Sequence, residues 1–355
     1  MAGTLATSGT NPESISDLVE LTLDRYKRGS WVDIAMSAQE YTIASKWLSG
    51  KKTPVKGGIH QAWKIQTANT GTAAFTGLYH TDELETVDHT IGAKQPWSIS
   101  TVNFSYDINE PEFQGDDVTQ IVDEILVREN AMYGDWFELM EDALWSKPST
   151  DSVTPRPLSG FPLWLKQDAV EGFNGDNPVG FASGAGNVDS ATYTKWQNYT
   201  FNYTGVTRDD LVAKWKKATS FCHFKAPHNF NELGKGVDWE FCTAYTLIEP
   251  LGQYLDARND NLRDIAGLSN LMFQGIPVRW IPILDDTSAT NAYVTNSPIY
   301  GINWKTFDFY FLKGRDMVRH APKRHATRHN VREVHMDSIC NMLCTNRRAN
   351  FVGYI

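Results

Sequence analysis

Apolar and polar positions follow a helical period along residues 116–145, the longest regular pattern in the chain. Apolar residues recur at Val118, Ile121, Val122, Ile125, Met132, Tyr133, Trp136, Met140 and Leu144, the three-and-four spacing that puts them on one helical face. Gly115 precedes Asp116 and Asp117, whose carboxylates suit the free amides and positive dipole end of a first turn, and Pro148 marks the stop. At about 1.5 Å per residue this helix spans roughly 45 Å, the length of a strut. Gly134 costs up to about 1 kcal/mol in a helix interior and is where a kink, or a break into two stacked helices, would fall.

Ahead of the strut, residues 1–11 are small and polar and read as an arm, disordered or draped on a partner. A helix is expected over 12–27, with Ile15, Leu18, Val19, Leu21 and Tyr26 apolar, and a shorter one from Trp31 to Leu48. Gly50-Lys51-Lys52-Thr53-Pro54 then breaks the chain. From 58 to about 103 the pattern changes to strands. A strand at 59–66, a turn at Asn69-Thr70-Gly71-Thr72 and a returning strand at 74–79 predict a long hairpin. Rich in Thr and Gly and poor in aliphatic residues, it lacks the means to build its own core and is expected to be held by neighbouring chains.

Beyond the strut, a loop at 148–162 leads into 172–186, crowded with Gly, Asn and Asp. Helices are expected at 208–224, capped by Thr207, and around 237–259. Strands are expected at 275–284, 298–311 and 331–351. The order is α+β, with no internal repeat and no βαβ rhythm.

Composition narrows the function classes. The 355 residues include 12 Trp, 14 Tyr and 17 Phe, an aromatic bias that serves interfaces as well as cores. A net charge of −9 argues against a dedicated nucleic-acid binder, which needs a basic surface to displace counterions from phosphates. One segment opposes that balance. Lys313, Arg315, Arg319, Lys323, Arg324, Arg328 and Arg332, with His320, His325 and His329 among them, meet only Asp316 within the stretch, and read as a solvated strand-and-turn region or as an intersubunit or polyanion-facing strip. No run of about 18 apolar residues exists, so no membrane partner is expected. Cys222, Cys242, Cys340 and Cys344 lie in no framework spacing, and the polar start lacks the pattern of a signal peptide, so synthesis in the cytoplasm is expected.

The elements in this order resemble the HK97-fold major capsid proteins of tailed bacteriophages. Local stretches are similar as well: Leu158-Ser159-Gly160-Phe161-Pro162-Leu163-Trp164 after the long helix, Gly186-Asn187-Val188-Asp189 leading to Tyr193-Thr194-Lys195-Trp196-Gln197-Asn198, and Ile339-Cys340-Asn341-Met342-Leu343-Cys344-Thr345-Asn346-Arg347-Arg348-Ala349-Asn350. The resemblance implies an N-terminal arm at 1–49, an extended E-loop hairpin at 50–102, and a P domain at 103–224 with its spine helix at 116–145. An A domain at 225–305 and return strands of the P domain at 306–355 complete it. It further implies a virion protein that self-associates through pentamers and hexamers into an icosahedral head around a portal, enclosing double-stranded DNA that it touches nonspecifically. Decoration proteins are possible partners, no cofactor is implied, and assembly would take place in the host cytoplasm.

With the spine helix starting at 116, a separate scaffold protein or a mature form fits better than a long cleaved leader. Some members crosslink a lysine to an asparagine; Lys51, Lys52, Lys56, Lys64 and Lys94 lie in or near the hairpin, and nothing singles one out. Trp63, Lys64, Phe75, Tyr79, Arg347 and Arg348 are the expected intersubunit contacts. An encapsulin-like nanocompartment shell, carrying enzyme cargo instead of a genome, shares the fold and is the alternative.

Candidate chemistry is sparse. Gly184-Ala185-Gly186 lacks the third glycine of a dinucleotide site, and Gly50-Lys51-Lys52 lacks the upstream glycine of a P-loop. His325 and His329 stand four apart, as do Cys340 and Cys344, yet neither pair has the companions of a zinc site. Asp285-Asp286 reads as a polar turn more readily than as an acid–base or magnesium pair. Abundant tryptophan motivates one enzyme alternative, a carbohydrate-active hydrolase, but no isolated pair of carboxylates accompanies it.

Overall fold

A computed structural model describes residues 52–69, 73–78, 90–109, 118–223, 238–256, 271–285 and 297–355. The expected arm helices, the Asp116–Asp117 cap and Tyr79 lie outside them. In chain order the elements are β1 (Lys52–Val55), β2 (His60–Gln66), β3 (Thr90–Pro96), β4 (Ser98–Asp107), α1 (Val118–Leu144), α2 (Phe161–Trp164), β5 (Gly172–Gly175), β6 (Asn198–Asn202) and α3 (Ala213–Cys222). There follow β7 (Trp239–Thr243), α4 (Tyr245–Asp256), β8 (Met272–Phe273), β9 (Ile276–Trp280), β10 (Ile299–Asn303), β11 (Phe307–Leu312), β12 (Val318–Arg319), β13 (Lys323–Arg324), β14 (Val331–Cys344) and β15 (Phe351–Tyr354).

The chain divides into two compact units. The first takes Met1–Ala38, Ser100–Leu139 and Met317–Ser338. Here Val334, Met336 and Ser338 on one face of β14 are buried, while Glu333, His335 and Asp337 on the other are half-exposed, the period of two expected of a one-sided sheet. The buried side meets α1: Trp136 Nε1 donates to Ser100 Oγ at 3.1 Å, and Ser100 Oγ donates to the Ser338 carbonyl at 3.3 Å. β12 and β13 add to the same edge of β14 by antiparallel pairing, Val318 opposite Asp337 and Lys323 opposite Glu333.

The second unit takes Gln39–Ile99, Met140–Asp316 and Ile339–Ile355. Its seven-stranded mixed sheet has the order β5-β6-β15-β10-β7-β9-β8, drawing strands from three of the expected segments, 103–224, 225–305 and 306–355. Every residue of β7 and β10 is buried, so both faces are covered. One face carries Phe201, Phe241, Phe351, Phe273 and Val278 beneath Trp215 and Ala218 of α3 and Leu247, Ile248 and Leu251 of α4. On the other, Tyr300 packs on Trp145 with ring centres 5.6 Å apart, and Phe161 of α2 packs on Trp304 at 5.9 Å and Phe307 at 5.2 Å. Aromatic rings also lie over glycines of adjacent strands. Phe351 stands opposite Gly301 and Phe201 opposite Gly353, where a Cβ would strike the ring.

The long helix runs unbroken through Gly134 to Leu144. Met132, Trp136, Met140 and Leu144 are buried at strict four-residue intervals. Gly160 lies across its last turn, where a Cβ would collide with the carbonyls of Ala143, Leu144 and Ser146. Thr207 caps the next helical stretch as expected, its Oγ1 accepting from Asp210 N at 3.3 Å.

Three expectations change. The hairpin partner of β2 is β3, and no strand forms at 73–78; Trp63 stands opposite Ala93 and Gln61 opposite Gln95. Phe75 and Leu78 are fully exposed, whereas Ala93 and Gln95 are buried against the fold and so decide the pairing. Residues 52–55, taken as a break, form an edge strand parallel to β11, a position that tolerates Pro54. Residues 239–243, taken as helical, form a central strand, because a strand buried on both faces shows no alternation. Cys340 and Cys344 sit on β14, within the stretch expected as strand at 331–351.

Candidate assembly surface

The foot of the hairpin is fixed by side chains meeting at Ser159. Gln95 Nε2 donates to Ser159 Oγ, and Ser159 N donates to Asn341 Oδ1 at 3.0 Å. Asn341 Nδ2 in turn donates to the Pro96 carbonyl at 2.6 Å, and Trp164 Nε1 to the Ser159 carbonyl at 3.2 Å. Trp63 completes the joint, its ring centre 6.2 Å from that of Trp164 and its indole against Gly186. Gly186 has φ +69°, so the left-handed backbone and the close approach of the ring both favour glycine. A cavity of about 260 Å³ opens beside the joint, lined in part by His60, Lys94, Arg156, Phe181 and Asn187.

Away from this joint the hairpin offers apolar surface to solvent. Ile59, Phe75 and Leu78 are exposed, and Lys64 faces outward opposite Gly92. Such side chains on a ribbon without a core of its own mark a surface made to be covered.

Arg347 lies in the interior. It is fully buried, and its guanidinium donates to the carbonyls of Trp164 at 2.6 Å and Gly175 at 3.1 Å, to Ser190 Oγ at 2.8 Å and to Asn198 Oδ1 at 3.1 Å. Burial pulls its pKa down to about 10, and carbonyl dipoles take the place of a carboxylate partner at contact distance. Its expected role as an intersubunit contact therefore gives way to an internal one. Arg348 is half-buried, its guanidinium over the Phe173 ring at 4.1 Å.

In the first unit the half-exposed face of β14 is ionic. His320 Nε2 lies 2.9 Å from Asp337, while His325 and His335 flank Glu333 at 3.2 and 3.4 Å. Burial raises the Asp337 pKa, but hydrogen bonds from Thr101 and His320 outweigh it and leave the carboxyl below its usual range. Arg319 pairs with Glu129 at 3.1 Å. His325 Nδ1 accepts from the Thr327 amide at 3.1 Å and so is held in its own turn.

Of the expected contact residues, Trp63 and Lys64 share β2 and Phe75 belongs to the same hairpin, whereas Arg347 and Arg348 sit elsewhere in the second unit. The joint of Gln95, Ser159 and Asn341 escaped sequence reasoning. Its signals are the Leu158–Trp164 and Ile339–Asn350 stretches already singled out, which hold Ser159 and Asn341. Asp285 acts as a cap, accepting from Tyr245 N at 2.8 Å and Trp280 Nε1 at 2.6 Å. Trp136, Trp145, Trp164, Trp215 and Trp304 are buried in cores, leaving them no sugar to stack on.

No family model and no curated protein sequence matches the chain. Solved structures do. The capsid asymmetric unit of cyanophage A-1(L) superposes with a TM-score of 0.57 at 12% identity, covering 94% of this chain and 98% of that one. The capsid of an empty GTA particle gives 0.59 at 10% identity, covering 94% and 96%. A structure from Gordonia phage Cozz gives 0.53 at 13%, covering 100% and 98%. The fold is therefore the α+β, HK97-like fold of phage capsid proteins. No described helix is long and apolar enough to cross a membrane.

Proposed function

We propose that this chain is the major capsid protein of a tailed bacteriophage, a shell subunit that assembles through pentamers and hexamers into an icosahedral head enclosing double-stranded DNA. The observation that carries the reading is the extent of the likeness: a capsid fold over 94% of the chain, with nearly all of the compared subunit matched in return. The exposed Phe75 and Leu78 support it, because a hairpin laid over an adjacent subunit would cover them. The work of such a protein is self-association, and catalysis plays no part in it. A portal and, where used, scaffold or decoration proteins would be further partners. DNA contacts would be nonspecific and salt-sensitive, given a net charge of −9.

Sedimentation velocity of the purified protein tests this. Capsomers and shells of uniform size are expected. A protein that stays monomeric at every concentration and salt would contradict the proposal, as would sequence-selective DNA binding by capsomers at physiological salt.

A further inference from the structure

We propose that the cavity of about 260 Å³ at the foot of the β2–β3 ribbon binds a small phosphorylated anion, with His60, Lys94 and Arg156 holding a diphosphate group. All of its walls belong to the second unit. The ribbon delivers two of the cations. Its register sets His60 opposite Pro96 and Lys94 opposite Ala62, so the two side chains leave the same face as a diagonal pair on the order of 7 Å apart. Both are exposed, and neither bonds to any described residue.

The third cation comes from the loop after α1 and is held in place. The Arg156 carbonyl accepts from Ser98 Oγ at 3.0 Å, and its guanidinium lies over the Phe181 ring at 5.8 Å. Its Nη1 donates to the Asp151 carbonyl at 2.7 Å and to the Asp151 carboxylate at 3.3 Å, while Nη2 has no acceptor among the described residues. Asn187 also lines the cavity, at φ +58°, and its side-chain amide bonds to no described residue.

The lining therefore gathers three basic groups against one carboxylate, and Arg156 already occupies that carboxylate. In a chain of net charge −9 such a recess stands out against the rest of the surface. An anion seated in it relieves the repulsion among the three and gains charge-assisted hydrogen bonds from the point charge of Lys94 and the planar fork of Arg156. The recess has room for several waters, more than one phosphate group takes up, and a diphosphate spans the separated cations better. Because the cations come from both the ribbon and the body of the unit, the bound anion ties the two together beside the Gln95–Ser159 joint.

Calorimetric titration of the full chain as unassembled subunits, at fixed ionic strength, tests the site. Pyrophosphate and a nucleoside diphosphate are titrated in parallel, and saturation by either at one per subunit supports the site and names its source. His60→Gln with Lys94→Gln is expected to melt as the wild type does, since both side chains are exposed, and to weaken binding by roughly tenfold or more. Hydrogen exchange is expected to slow in 60–66, 90–96 and 181–187 when the anion is present. Binding by neither probe beyond the effect of chloride, or a double variant that binds as tightly as the wild type, would overturn the proposal. Protection confined to 319–332 would do so as well, because the anion would then sit on the basic strip.

Discussion

Arg347 Nε donates to the carbonyl of Trp164 at 2.6 Å across 183 residues of sequence, tying the turn between β14 and β15 to the end of α2. The same guanidinium also holds Gly175, Ser190 and Asn198. Arg347→Met would take the guanidinium donors from these buried acceptors and is expected to cost about 3 kcal/mol or more. Lysine, with a point charge in place of a planar fork, should rescue little of this. Urea denaturation of the unassembled subunit reads both.

Asp210 offers a pH test. Burial raises its pKa, but Lys214 at 2.6 Å and the donors of Thr204 and Gly205 outweigh that and hold the carboxyl well below its usual range. A depressed folded-state pKa contributes stability that is present above the unfolded value near 4 and lost as pH falls toward the folded value. Asp210→Asn should cost about 1–2 kcal/mol at pH 7. The gap between variant and wild type should close as pH drops below about 4. A gap that is constant down to pH 2 would refute this.

Gly301 and Phe351 give a packing test. A Cβ at Gly301 would enter the ring of Phe351, itself packed against Phe201 and Phe241. Gly301→Ala should destabilise the fold by about 1–3 kcal/mol through overpacking. Shortening the ring at 351 to leucine in the same chain should recover part of the loss, which thermal unfolding would detect.

The long helix and β14 were legible because each buries one face, and one-sided burial writes its period into the sequence. Met132, Trp136, Met140 and Leu144 show this at four-residue spacing. Trp239–Thr243 was not legible as a strand, since burial on both faces erases the alternation. The hairpin partner was missed for another reason. Gln95 is polar and Ala93 small, and only their burial against the distant Ser159 selects them over Phe75 and Leu78. Arg347 likewise carries no mark in sequence that separates a buried arginine from a surface one.

The four cysteines should be inert in the native subunit. All are buried, and burial drives the Cys222 thiol up and pushes Cys344 to about 12. A thiol reagent at pH 8 should label none of them before unfolding and all four in denaturant. Rapid native labelling would show that the core opens locally.

Phe75→Asp with Leu78→Asp separates folding from assembly. Both side chains are fully exposed, so the subunit should melt within about 0.5 kcal/mol of wild type. Particle formation should nonetheless fail, because the apolar surface awaiting a neighbour is gone. Unchanged particle yield would show that the hairpin tip lies free in the shell.

Electron microscopy of the purified protein tests the central claim most directly. Closed icosahedral shells, with the 60–66 and 90–96 ribbon of each subunit lying across its neighbour, are the predicted result. Dispersed single subunits under all assembly conditions, or shells in which the ribbon touches only its own chain, would contradict it.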